Sequence, residues 1–415
     1  MHREAMTPTA DAAGAFVRAA CLDYETWRPE SLVEARRIRE ANPGLSRADA
    51  WAAAAAGDTA SLDEMLARDP ELANARGGPH GWEPLLYACY SRFEAGEPGL
   101  STLEAARRLL AAGADPNAGF LWRGETPPFT ALTGAFGDGE VGSAQPPHPK
   151  RDELARMLLD AGADPNDGQA LYNRHFRPDD GHLQLLLEYG LGTDRGGPWY
   201  ARLGERLQSP QRLLVEELWS AARKGYFERV RLLVAHGAVL DVAGRRDGRT
   251  PYRAAALADH AEIAEYLVAH GAAREALSAE DVFEAACVGG RRADALAQIE
   301  RDPGLRERLG RHGRIRLLHR AVELRRLDAL LLMAELGFEL SGHTSHDRVG
   351  MLLATTPLHN AAWMGDLPMV RLLLELGADP TVKDPTYDAT PRGWAEHNRQ
   401  AEVAAWLANL EREEP

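Results

Sequence analysis

Cysteine is scarce in this 415-residue chain: Cys21, Cys89 and Cys287 stand far apart and without the close spacing of metal ligands. An odd, scattered set excludes a disulfide framework and fits a reducing compartment. Long apolar runs are missing too, since the longest run of small residues, Ala52 to Ala56, is far too short to cross a bilayer. Residues 1–11 are polar, contain Pro8 and lack the apolar stretch of a secretory leader. The expectation is a cytoplasmic protein with a disordered 1–11 segment and no membrane partner. Basic charge is in deficit, with 48 Lys and Arg against 62 Asp and Glu, a net −14. Such a surface repels phosphate backbones, which argues against nucleic acid as a partner.

Signatures of chemistry are equally sparse. The glycines stand at helix ends rather than in a phosphate-cradling loop, and there is no Gly-x-Ser-x-Gly elbow. No cysteine has a histidine or other base near it in sequence. Acid pairs such as Asp179-Asp180 are commonplace in an acidic chain. The stretch 343–347 holds His343 and His346, which could reach a metal, but no third ligand is evident nearby. No catalytic residue, metal or cofactor is therefore expected.

What the chain does have is repetition. One phrase reads Arg-Leu-Leu-Ala-Ala-Gly-Ala-Asp-Pro-Asn at 108–117, recurs at 157–166, and returns as Leu-Leu-Leu-Glu-Leu-Gly-Ala-Asp-Pro at 372–380. Looser copies end at Gly190, Gly237, Gly271 and Gly337. The leucines are the buried stripe of a short helix, and the glycine takes the left-handed position that ends it. The Asp-Pro that follows opens an extended turn. A second phrase, Thr356-Pro357-Leu358-His359-Asn360-Ala361-Ala362, starts a helix: threonine caps it, proline suits its first turn, and the alanine pair admits a close neighbour. Relatives begin at Thr250 and Thr390, and weaker ones at Glu83 and Leu317.

These two phrases, at a spacing near 33 residues, resemble the ankyrin repeat over roughly residues 12–411. The resemblance implies an all-α solenoid of about eleven helix-turn-helix repeats, curved, with capping repeats at 12–45 and 386–411. Because each unit packs only on its neighbours, a long chain needs no division into globular domains. Insertions at 91–102, 134–150, 191–210 and 341–352 break the period and map to loops. The 191–210 break is read as an atypical connecting segment between halves 12–190 and 211–411, with 412–415 as a tail.

The resemblance also implies a groove lined by the turn tips and the first helix of each repeat, docking a protein partner and working as a monomer. Register places Trp82 and Arg249 at turn tips. It places Tyr90 and Ser91, Arg223 and Lys224, Leu257 and Ala258, Trp363 and Met364, and His397 and Asn398 after the alanine pairs. Trp, Tyr, Met and Arg are the types that binding hot spots favour. The competing reading is that Trp82 and Trp363 fill gaps beside irregular neighbours. His319 and His359 fall where the family uses histidine for backbone bonds between repeats.

The fourth repeat departs from the pattern. Counting back from Gly190 puts Arg174 and His175 where the alanine pair belongs, and bulky polar groups cannot enter that seam without partners. Two readings stay open: an internal ion-pair network, or a pocket for an enzyme or small-molecule binder built from Tyr172, Arg174, His175 and Asp179 with Trp199 as a wall. Residues 301–326 carry nine arginines against three acids. They fit either a site for an acidic group or a solvated face that pairs with carboxylates.

Overall fold

The computed structural model describes residues 9–94, 96–140, 142–193, 197–343 and 354–413. Among them are 24 α-helices and one two-stranded sheet. The first helix, Thr9–Ala20, begins inside the segment expected to be disordered, and the last, Ala401–Glu413, runs into the expected tail. The chain divides into two compact units, Met1–Glu217 and Leu218–Pro415. The 191–210 segment contains a helix of its own, Pro198–Leu203, and lies inside the first unit.

In the N-terminal unit helices come in pairs. The first helices are Thr9–Ala20, Ala50–Ala56, Pro84–Tyr90, Ala131–Phe136 and Gly168–Arg174; the second are Ser31–Ala41, Thr59–Arg68, Thr102–Ala111, Arg151–Asp160 and Gly181–Glu188. First helices pack on first helices, and several second helices likewise on second. The seam stays narrow because small residues face it: Ala52 to Ala55 are fully buried, and so are Ala88, Ala105, Ala106 and Ala135. The glycines of the recurring phrase, Gly113, Gly162 and Gly190, take the expected left-handed φ of 88°, 99° and 96°. Beyond two of the second helices an asparagine bonds to the next repeat. Asn74 donates to the Gly113 carbonyl at 2.9 Å and accepts from the Asp115 amide at 2.8 Å. Asn117 does the same at Gly162 and Asp164, at 3.0 and 2.8 Å.

The second unit follows the same plan, with first helices Pro251–Leu257, Ala279–Val288, Gly310–Glu323, Pro357–Trp363 and Pro391–His397 and partners Ala261–Ala269, Arg292–Arg301, Leu327–Glu335, Leu367–Glu375 and Ala401–Glu413. A further pair, Pro210–Lys224 and Phe227–Ala235, leads into it. The Thr-Pro phrase behaves as its chemistry demands. Thr356 caps the His359 amide, His359 Nδ1 returns to Thr356, and Nε2 donates to the Ala389 carbonyl of the next repeat at 3.0 Å. His319 Nε2 bonds the Thr355 carbonyl at 3.1 Å.

Candidate functional site

Around helix Pro84–Tyr90 of the N-terminal unit the first-helix face is closed. Trp82 is buried between His80 and Phe120, with ring centroids 4.4 and 4.7 Å away, and Phe120 stacks in turn on Phe129. Tyr90 is fully buried and donates to the Thr130 carbonyl at 2.9 Å, its ring lying where any side chain on Gly134 would stand. Ser91 is fully buried and donates to the Ala55 carbonyl at 2.7 Å. These three are therefore corrected from contacts to core: the aromatic payload expected to meet a partner is spent on internal stacking.

Part of the cover is the chain's own segment after the first helix. Cys21 forms an antiparallel bridge with Ser91, and the Leu22 amide donates to the Tyr90 carbonyl at 2.9 Å. Tyr24 lies edge-on to Phe129 at 4.9 Å and to Tyr90 at 6.3 Å, and its hydroxyl accepts from Asn173 at 3.0 Å. Glu25 pairs with Arg123, at the tip of the hairpin Gly119–Phe120/Phe129–Thr130.

The 134–150 insertion is clamped. Arg92 is buried and donates to the carbonyls of Pro146, Gly134, Cys89 and Ser91 at 2.6, 2.8, 3.1 and 3.2 Å. His148 accepts from the Lys150 amide at 3.0 Å and pairs with Thr102 at 2.9 Å. Burial and the nearby Arg92 charge push its pKa down to about 3, so it is neutral there. Neither Arg92 nor Tyr24 carried a sequence signal. Both sit in irregular stretches where no period sets a face.

At the fourth repeat Arg174 is buried and bonds the equally buried Asp138, and it also meets Asp179. Burial pushes the Asp138 carboxyl up, against the pull of Arg174 and Arg177. The other candidates turn elsewhere. Tyr172 bonds Glu140, His175 Nδ1 lies 3.6 Å from Glu217, and Trp199 donates to the Asn117 carbonyl at 2.9 Å while packing on Gly119. Trp199 is thus fastened to the neighbouring turn tip, a correction to its role as a pocket wall. The rule-breaking arginine sits in an ion-pair network.

In the C-terminal unit Leu257 and Ala258 are buried, which corrects Leu257 from contact to core. Arg249 pairs with Glu284 at 3.1 Å, and Glu284 also holds Arg316 at 2.7 Å. Arg223 pairs with Glu323 at 2.6 Å, and Arg320 binds both Glu323 and the Arg223 carbonyl. Burial opposes ionisation of Glu323, but the guanidiniums of Arg223 and Arg320 outweigh it and hold the carboxyl at about 2. Lys224 lies 5.9 Å from the Tyr226 ring. Among the arginines of 301–326, Arg308 reaches Asp302 and Glu280, Arg311 reaches Glu339, Arg325 reaches Asp366 and Arg326 reaches Asp259. The basic run is a lattice of ion pairs.

The last two repeats differ. Trp363 is half-buried, stacks on exposed His397 at 5.9 Å and meets Trp394 edge-on at 5.5 Å. Asn398 donates to the Trp363 carbonyl at 2.6 Å. Met364, half-buried, packs against the core. Trp394, also half-buried, donates to the buried Asp384 carboxylate at 2.8 Å, and Tyr387 beside it is 66% exposed. Trp394 and Tyr387 were missed in sequence: Trp394 stands within the Thr-Pro phrase and Tyr387 in the turn before it. His343 bonds the Lys383 carbonyl at 3.1 Å, while 344–347, and with them His346, lie outside the described residues. No group of three or more His, Cys, Asp or Glu among the described residues is placed to hold a metal.

Paired helices joined by turns, first helix on first helix, with a glycine ending most of the second helices, define a helical-repeat protein. The family model described as ankyrin repeats (3 copies) matches residues 216–276, and the one described as ankyrin repeat matches 355–385. The chain carries ankyrin repeats at those residues. No curated protein matches it. Ankyrin repeats generally mediate protein–protein interaction. Among the described residues no helix is long and apolar enough to cross a membrane.

Proposed function

We propose that the protein is a non-enzymatic scaffold or adaptor: a curved ankyrin solenoid of about eleven repeats that docks a protein partner on its first-helix face, with the last two repeats as the open anchor. The helix pairing supports the repeat count. The observation that carries the docking site is the partly exposed group of Trp363, Trp394 and His397 with Tyr387 in the turn before the last pair, whereas most of the other first-helix candidates are buried or ion-paired. Rigid aromatics on a preformed surface lose little entropy on binding. Three free, buried cysteines support action in a reducing compartment such as the cytoplasm, and the chain is taken to act as a monomer.

Affinity purification of the tagged protein from its host, wild type beside Trp363→Ala and His397→Ala, tests the reading. A partner enriched by the wild type should bind Trp363→Ala more weakly by about 2 kcal/mol, the loss typical of a central aromatic anchor. A partner that binds the folded variants undiminished removes the last two repeats as the docking site.

A further inference from the structure

Segment 21–27 lies across the face that, in a repeat array, a partner would use. Its main-chain attachment is thin, while the side chains of Cys21, Leu22 and Trp27 are buried. One main-chain bond, from the Leu22 amide to Tyr90, and the Arg92 amide bond to Ala20 join it to the edge beyond helix Pro84–Tyr90. After that the backbone is held locally, the Asp23 carboxylate accepting from the amides of Glu25, Thr26 and Trp27 at 2.9, 2.8 and 2.9 Å. The contacts that cross the face are the Tyr24 ring, its bond from Asn173, and the Glu25–Arg123 pair, both of whose side chains are at least half exposed. Exposed pairs of that kind hold weakly. Tyr24 and Arg123 both carry left-handed φ, 61° and 51°, a conformation that disfavours side-chain-bearing residues. Glu25 and Thr26 are open to solvent. A short segment with few main-chain bonds to its neighbours and an anchor at left-handed φ is the kind of element that opens without unfolding them.

We propose that Leu22-Asp23-Tyr24-Glu25 is an intramolecular ligand. It occupies a tyrosine site between Phe129, Tyr90 and Asn173, and it leaves when an extended acidic peptide carrying a tyrosine takes its place. The chemistry of the occupant names the partner. An edge beyond a first helix accepts one strand-like bridge, an aromatic cleft with an amide donor accepts a phenol, and Arg123 accepts the carboxylate after it. The inference deepens the protein-docking reading, but its test needs no partner and does not touch the last two repeats.

The probe is a fluorescein-labelled peptide of residues 19–29 with Cys21→Ser, titrated by anisotropy against full-length protein. The expected result is weak binding to the wild type and at least tenfold tighter binding to a Tyr24→Ala/Glu25→Lys variant, with a peptide carrying Tyr24→Ala failing to bind either. A folded variant that ignores the peptide, or a wild type that binds it equally well, overturns the proposal. Should the double variant not fold, hydrogen exchange on the wild type decides. Amides of 22–27 exchanging at least a hundredfold faster than those of Pro84–Tyr90 support a segment that opens alone. Equal rates mean it is released only by unfolding, and the proposal fails.

Discussion

At the scale of a residue, the least expected finding is Arg92. A guanidinium this deeply buried is tolerated because its donors meet four main-chain carbonyls, and that geometry also holds the insertion down. Burial lowers its pKa, but the carbonyl dipoles stabilise the charge that burial opposes. Substituting Arg92→Met keeps the stem and removes every donor. It should cost on the order of 3 kcal/mol, since hydrogen bonds from a charged group are strong and buried carbonyls left unpaired carry their desolvation cost. Urea denaturation should show this as a loss in the N-terminal unit's transition. A variant within about 0.5 kcal/mol of wild type, the range of ordinary surface changes, would mean water replaces the side chain freely. Trp363 is the contrasting case: half-buried, its removal should be felt in partner affinity more than in stability.

Among the elements, stability passes from repeat to repeat through small recurrent devices, and the asparagine ladder is the clearest. Asn117→Ala removes a bond to the Gly162 carbonyl and one from the Asp164 amide at once. Both are solvent-near, so the expected loss is about 1 kcal/mol. Thermal melts should register it, and an unchanged midpoint would show that water satisfies both groups. These devices were legible in sequence because they repeat: Gly-Ala-Asp and Thr-Pro fix the helix ends, and leucine spacing fixes the buried stripe. What stayed hidden was pairing between irregular stretches. Tyr24 with Asn173 is a contact across 149 positions, and Arg92 with Pro146 spans an insertion. Register reasoning put Tyr90 and Ser91 on the groove; Tyr90 ends helix Pro84–Tyr90 and Ser91 follows it. That reasoning could not foresee that segment 21–27 lies over them. At the fourth repeat the oddity of Arg174 was visible, and its partner Asp138, in another insertion, was not.

For the whole molecule, pH offers a handle on each unit. In the C-terminal unit His319 is buried, and burial brings its pKa down to about 4 despite the favourable pull of Glu323 and the Thr355 carbonyl. The unfolded chain, with an ordinary histidine value near 6.5, binds the proton more readily than the folded one. Its contribution is therefore complete above about pH 6.5 and is lost as pH falls toward 4, by up to roughly 1.4 kcal/mol per pH unit. His359, also held low, works in the same direction. Glu323, held at about 2, stays charged throughout that window. Denaturation of the C-terminal unit from pH 7 to 4.5 should show this slope, and His319→Gln should flatten it. An identical slope in the variant would assign the effect to other groups.

The Arg92 clamp bears on how such arrays change over generations. Repeats of this family look like interchangeable beads, and an array can lengthen or shorten by copying or losing one. In the N-terminal unit that freedom is gone: one arginine from the third helix pair is tied to the turn that follows the fourth pair's first helix. Excising that turn, or moving either pair to a new neighbour, strands a cation in the core. The two pairs are inherited together or not at all.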